Sequence, residues 1–286
     1  MSDQSYDAER VNREQREFWN NAAPGWKQMW SVLERAGQPV SDRLVELARV
    51  APGNRVLDIA TGSGEPGLTA ARRVGPGGLV VATDQSPAML ELARERAAAL
   101  GLHNVKFVET GAEELAVGES GFDAALCRWG LMFMPDLASA LTGIRARIKT
   151  GGHFATSVWS TPDKVPMITA GVDAVRKLVN LPPPPPNALD PLRLADTSIL
   201  KNAMEAAGFK QVMIERLIVT FEMESPEAFA EFRRDVSAPF RALLDRQTPE
   251  MRERVLVAVT EAARKFVGGD GKVRTSNETI LFSASN

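Results

Sequence analysis

The sequence predicts an α/β protein: a seven-stranded, mostly parallel, doubly wound sheet with a helical cap inserted in its C-terminal part. Three observations predict it. Short apolar runs such as residues 56–59 and 79–83 have the length and composition of strands buried on both faces. Segments with apolar residues at spacings of three and four lie between them, as crossover helices require. A glycine-rich turn, Gly62-Ser63-Gly64-Glu65-Pro66-Gly67, joins the first of these strands to the first crossover helix. Such a strand–loop–helix–strand unit opens a nucleotide-sized crevice at the carboxyl ends of its strands.

Taken in order, residues 6–30 are expected to be helical and then irregular, broken at Pro24-Gly25, and they gather Phe18, Trp19, Trp26 and Trp30. Ser41 is expected to cap a helix that turns Leu44, Leu47 and Ala48 inward and ends at Pro52-Gly53. After the strand at 56–59, residues 68–74 form the first crossover helix and 79–83 the second strand. Ser86 and Pro87 open the next helix as N-cap and first residue. Its Leu90, Ala93, Ala97 and Leu100 face the sheet, and Gly101 closes it. Residues 105–108 and 122–127 are the third and fourth strands. Asp136 caps a helix whose buried stripe is Leu137, Leu141, Ile144 and Ile148; Gly151-Gly152 stops it before the fifth strand at 153–159.

Residues 161–195 are expected to be loop-rich, with Pro182 to Pro186 forming a stiff polyproline II arm roughly 15 Å long. A helix at 197–207, stopped by Gly208, precedes a long sixth strand at 211–223. Ser225 and Thr248, each followed by Pro and Glu, mark two further helix starts, the second burying Met251, Val255, Val259, Ala262 and Phe266. Residues 277–284 form the final strand.

Composition bounds the function. The chain has 286 residues, 44% of them hydrophobic, enough for one large core or a core with a smaller cap. A net charge of −2 supplies no electrostatic footprint for nucleic acid. Cys127 is the one cysteine, so no intramolecular disulfide is expected and a reducing compartment fits. The N-terminal residues lack the apolar stretch of a signal peptide, and no window reaches the ~20 apolar residues of a membrane span. A cytoplasmic protein is expected; a homodimer is compatible with the sequence. With two histidines and one cysteine there is no zinc-binding cluster, and no metal is expected.

Two ligands suit the crevice, and the residues choose between them. Gly62, Gly64 and Gly67 satisfy the dinucleotide spacing, and Asp84 follows Gly62 by 22 positions. A pyrophosphate, however, needs free N–H donors and positive potential at the helix N-terminus. Glu65 places a carboxylate there, Pro66 removes an N–H, and Asp58 adds an acid upstream. S-adenosylmethionine (SAM), with an ammonium and a sulfonium and no phosphate, fits better. Asp84 can accept from both ribose hydroxyls.

Asp58-Ile59-Ala60-Thr61-Gly62-Ser63-Gly64 resembles motif I of the class I SAM-dependent methyltransferases. The likeness continues through Asp84, Thr110-Gly111-Ala112-Glu113-Glu114-Leu115 and Phe122-Asp123-Ala124-Ala125-Leu126-Cys127-Arg128, spanning roughly residues 55–159. Within that superfamily the chain is similar to the ubiquinone/menaquinone-biosynthesis C-methyltransferases and other small-molecule enzymes. The resemblance implies a Rossmann-like core at residues 41–160, an N-terminal helical lid at 1–40, and cap and insertion helices with the sixth strand at 161–276. The final strand, 277–286, returns antiparallel beside the fifth. It implies methyl transfer to a carbon or oxygen of a small, largely apolar acceptor, leaving S-adenosylhomocysteine (SAH).

On the same footing, Ala60, Thr61, Gly62, Ser63 and Gly64 carry the methionine portion of SAM. Asp58 holds its ammonium or bonds the loop amides; Asp84 and Gln85 meet the ribose. Relatives carry an acid where Gly111 stands, so Glu113 or a backbone carbonyl takes over the adenine amino group while Ala112 donates its N–H. Met89 covers adenine or is core. Arg128 pairs with the SAM carboxylate or an acidic acceptor. Trp129, by cation–π attraction, and Trp26, Trp30, Met132 and Phe133 are expected around the acceptor. His103 and His153 are expected to be an exposed turn residue and a strand boundary. The Asn-Pro-Pro-Tyr type of motif for methylating amino groups of bases is absent, and no catalytic residue is assigned. A nicotinamide-dependent oxidoreductase, a protein or RNA methyltransferase, and a non-catalytic SAM-binding module are the rival readings.

Overall fold

The computed structural model describes residues 8–180 and 190–286. Tyr6 and the polyproline arm at Pro182 to Pro186 lie outside the described residues. The elements in order are α1 (Ala8–Gln28), α2 (Trp30–Leu47), β1 (Arg55–Ile59), α3 (Gly67–Val74), β2 (Leu79–Asp84), α4 (Pro87–Ala99), β3 (Val105–Glu109) and β4 (Phe122–Arg128). There follow α5 (Leu137–Arg147), β5 (Ile148–Trp159), α6 (Pro166–Thr169), α7 (Val172–Val179), α8 (Thr197–Ala206), β6 (Lys210–Met223), α9 (Pro226–Val236), α10 (Ala238–Asp245), α11 (Pro249–Ala263) and β7 (Val273–Ser285).

One seven-stranded sheet, in the order β3-β2-β1-β4-β5-β7-β6, organises these elements. The first five strands are parallel, and β7 runs antiparallel to both β5 and β6. Central strands are covered on both faces, so Val56 to Ile59 and Val80 to Asp84 are all buried. That two-sided burial is why they read as continuous apolar runs. Predicted caps form: Ser86, Asp136, Ser225 and Thr248 accept from the N–H of Met89, Ser139, Ala228 and Met251. Seven phenylalanines, Phe122, Phe154, Phe209, Phe221, Phe229, Phe232 and Phe282, anchor the core and its junction with the cap.

Several expectations are corrected. Helix α1 runs through Pro24-Gly25 and breaks at Met29. A proline removes one helical bond, and packing of α1 on α4, α9 and α10 holds the rest. Ser41 lies buried inside α2 and caps nothing. The division at residue 40 therefore falls within a helix shared by the N-terminal segment and the core. Leu100 lies just past the last turn of α4 and is 46% exposed. Strand β5 begins at Ile148, through an irregularity that carries Gly151-Gly152 into the strand. Residues 161–180 contain α6, α7 and a 3₁₀ turn. Three helices, not two, separate β6 from β7: Ser237 caps the extra one, α10. Strand β7 starts at Val273 because it pairs with β6 as far as Met223. On α11 the buried face is Val255, Val259 and Ala263, with Ala262 and Phe266 half-buried.

Candidate active site

The carboxyl ends of β1, β2 and β4 open onto a cavity of about 430 Å³, walled also by α1, α9 and the segment at Met167-Ile168. The loop after β1 forms one side. Ala60 and Gly62 both take positive φ, +52° and +55°, and Ala60, Thr61, Gly62 and Glu65 line the cavity. Ser63 and Gly64 stand outside the wall, the Ser63 carbonyl accepting from Arg96 at 2.7 Å.

Asp58 also lies behind the loop. It is fully buried, and Oδ2 accepts from the Thr61 hydroxyl at 2.5 Å and the Gly67 N–H at 2.8 Å. It thus bonds the loop rather than facing a ligand. Burial pushes its carboxyl up to about 8. Glu65 is equally enclosed: Oε2 accepts from the Thr69 N–H and hydroxyl at 3.2 and 2.6 Å, and Oε1 sits 3.5 Å from Arg96. The N-terminus of α3 therefore holds two carboxylates of the protein itself. A pyrophosphate would find the Gly67 and Thr69 N–H groups already taken by Asp58 and Glu65.

Asp84 fixes the opposite side. Oδ2 accepts from the Gly62 N–H at 2.9 Å and Oδ1 from the Ser86 N–H at 2.8 Å, which ties the loop after β1 to the start of α4. Asp84 is 7% exposed, and burial pushes its carboxyl up to about 6. Gln85 lines the cavity beside it, its amide 3.4 Å from Gln15 of α1. Met89 is both core and wall, packed against Ala22 and Ala23 yet bordering the cavity. Gly111, Ala112 and Glu113 follow along the wall. Glu113 Oε1 is buried without a hydrogen-bond partner, and burial raises its pKa. A Cβ built on Gly111 meets only Glu113 Oε2, at 3.7 Å.

The roof is aromatic. Trp19 meets Phe133 edge-on at 5.2 Å and Trp26 at 5.9 Å. Trp26 Nε1 donates to the Val236 carbonyl at 3.2 Å, joining α1 to α9. Trp129 stacks on Trp159 at 4.2 Å and donates to the Thr279 hydroxyl at 2.9 Å. Arg128 lines the cavity, but its Nη1 donates to the Gly37 carbonyl at 3.1 Å and the Ser41 hydroxyl at 2.8 Å. Burial lowers its pKa against the opposing pull of Glu65, Asp58 and Glu34.

Two expected acceptor residues are not brought to the site. Met132 is fully buried in the core, and Trp30 carries the Arg96 guanidinium on its ring at 3.0 Å. Trp159, Phe221, Phe232 and Arg233 line the cavity without having been predicted to. They sit on β5, β6 and α9, and nothing local in the sequence signals which of their faces meets a cavity. His103 and His153 do not line it. Among the described residues, no group of three or more His, Cys, Asp or Glu could hold a metal ion. No helix there is long and apolar enough to cross a membrane.

A family model described as a methyltransferase domain matches residues 51–208, more than half of the chain. An uncharacterized protein of Mycobacterium tuberculosis is 31% identical over 163 residues, 55% of this chain and 58% of its own. The ubiquinone/menaquinone biosynthesis C-methyltransferase UbiE of Ectopseudomonas mendocina is 38% identical over 119 residues, 41% of this chain and 46% of its own. The chain thus spans about half the length of these curated relatives. Among solved structures, a phosphoethanolamine N-methyltransferase of Haemonchus contortus, in complex with phosphomonomethylethanolamine and SAH, superposes with a TM-score of 0.51. It is 17% identical, covering 91% of this chain and 52% of that one, and shows the fold alone. With this strand order, this glycine loop and a family match across most of the parallel core, the chain belongs to the class I SAM-dependent methyltransferases.

Proposed function

We propose that the protein passes the methyl group of SAM to a carbon or oxygen of a small, largely apolar acceptor. One observation carries the reading: the residues of the glycine loop, Asp84 and Glu113 share a single cavity with Trp19, Trp26, Trp129 and Phe133. A cofactor and an apolar acceptor can meet there out of contact with bulk water.

The residues present fit SAM. Asp84 keeps lone pairs for the ribose hydroxyls after accepting its two N–H bonds. Glu113 borders the cavity and can turn its carboxylate to the adenine amino group, and Ala112, beside it in the wall, can offer its N–H to the ring. A Cβ at Gly111 would meet only Glu113 Oε2, at 3.7 Å; with no acid at position 111, the chain relies on Glu113 instead. Ala60, Thr61 and Gly62 border the methionine portion, with Ser63, Gly64 and Asp58 behind them as support. Bound SAM supplies an already activated methyl group. The protein's part is then to align the acceptor and exclude water, with α1 as lid and the helices between residues 161 and 276 as cap.

Calorimetric titration with SAM, SAH, NAD and NADP, followed by turnover on a panel of quinones and phenols with and without a carboxylate substituent, tests this. The expected result is SAM and SAH binding at roughly micromolar strength, negligible NAD(P) binding, and turnover on an apolar member of the panel. Tight NAD binding that Asp84→Ala abolishes would instead establish an oxidoreductase.

A further inference from the structure

We propose that Arg233 anchors a carboxylate carried by the methyl acceptor, so that the acceptor is an apolar acid rather than a neutral molecule; this rests on the methyltransferase reading above.

Arg233 lies in α9 and forms part of the cavity wall, although only 8% exposed. Nη1 donates to the Met167 and Ala170 carbonyls, at 3.0 and 3.3 Å, which fixes the plane of the guanidinium. Among the described residues, Nε and Nη2 have no hydrogen-bond partner and no carboxylate pairs with the group. Asp235, two positions on, is turned to Arg234 and Arg241. The remaining edge, Nε with Nη2, is the one that grips a carboxylate through two parallel bonds.

Energetics sharpen the point. A buried cation without a counter-charge is costly: burial lowers the Arg233 pKa to about 10, and what partly offsets it is two carbonyls and the Phe240 ring, 5.7 Å from the guanidinium carbon, rather than a carboxylate. Arg128, also in the wall, differs: Glu65, Asp58 and Glu34 compensate it. The wall's carboxylates come from the loops after β1, β2 and β3 and from Glu14 of α1. The cavity is therefore negative where a sulfonium and an ammonium suit it, and positive on the cap side. If Arg233 served only to clamp the two carbonyls of the α6 segment, a neutral donor would suffice without the desolvation cost.

The test uses two probes of one shape, naphthalene-2-carboxylate and naphthalene-2-carboxamide, titrated by calorimetry into SAH-loaded protein. The carboxylate should bind at least about tenfold more tightly than the amide. In Arg233→Met that preference should vanish while SAH affinity stays unchanged; Arg233→Lys should keep part of it. Equal binding of the two probes by the wild type, or no binding of the carboxylate at millimolar concentration, overturns the proposal without any variant. So does a preference that survives Arg233→Met. A loss of SAH affinity in that variant overturns it too, by assigning Arg233 to the cofactor's own carboxylate. Should SAH fail to bind the wild type, the methyltransferase reading falls, and the same probe pair titrated into the free protein still decides the role of Arg233.

Discussion

Asp84 and Asp58 are both buried acids of the same crevice, yet they respond to pH through different observables. Asp84 must be ionised to accept from a ribose while holding the Gly62 and Ser86 N–H groups. With its carboxyl raised to about 6, SAH affinity should fall as the pH drops through that value, and calorimetry across pH 5–8 reads it. Asp84→Ala should weaken SAM roughly ten- to a hundredfold, about 1.5–3 kcal/mol for a charged acceptor, and remove the pH dependence. Asp58 instead bears on stability. Its carboxyl is raised from 3.8 to about 8 by burial, so the folded state holds a proton that the unfolded chain releases. The stability this contributes is fully present below 3.8 and lost as pH rises through about 8. The thermal midpoint of the free protein should therefore decline between pH 5 and 9, and Asp58→Asn should flatten that decline. A wild-type midpoint constant over this range would show Asp58 ionised throughout.

At the scale of elements, the seam between α1 and α9 decides whether the cavity has a roof. Gly25 sits on that seam: a Cβ there meets the Asp235 carbonyl oxygen at 1.9 Å and Arg241 Nη2 at 2.7 Å. Alanine is about 1 kcal/mol better than glycine inside a helix. Backbone overlap at that distance outweighs the gain, since overpacking costs typically 1–3 kcal/mol. Gly25→Ala should therefore lower the thermal midpoint and speed protease cleavage within residues 13–28, with SAH protecting the variant less than the wild type. Unchanged cleavage and an equal or higher midpoint would show that the roof is held elsewhere. The proline beside it was a poor guide to where this helix ends. One missing N–H is a local loss, whereas α1 is held along its length by neighbours that lie far away in sequence.

For the whole molecule, Cys127 offers a direct readout of cooperativity. It lies in β4, at the centre of the sheet, fully buried, with its thiol pushed up to about 12 by burial. A buried, protonated thiol is inert until the surrounding sheet opens. An aromatic disulfide reagent should label it only at the rate of global unfolding, and SAH, by binding the folded state, should slow labelling further. Prompt labelling of the native protein would instead reveal local opening between β4 and its neighbours.

The sequence by itself determined the parallel core, the caps Ser86, Asp136, Ser225 and Thr248, and the sharing of one crevice by Gly62 and Asp84, which the structure joins at 2.9 Å. These are legible because their causes are local: two-sided burial makes a strand uniformly apolar, and a cap needs one oxygen near one N–H. Only the tertiary structure decided which side chains face the cavity. Trp26 reaches it and Trp30 does not, because α1 is latched to Val236, 210 positions away, while Trp30 turns its ring to Arg96. Arg128 is drawn back to Ser41, and Met132 turns into the core. Arg233, which beside Arg234 reads in the sequence as part of a solvated basic helix face, is buried and acquires its meaning only where α9 meets the α6 segment. A side chain's orientation depends on what packs against it, and that partner is chosen by the fold rather than by the chain's immediate neighbours.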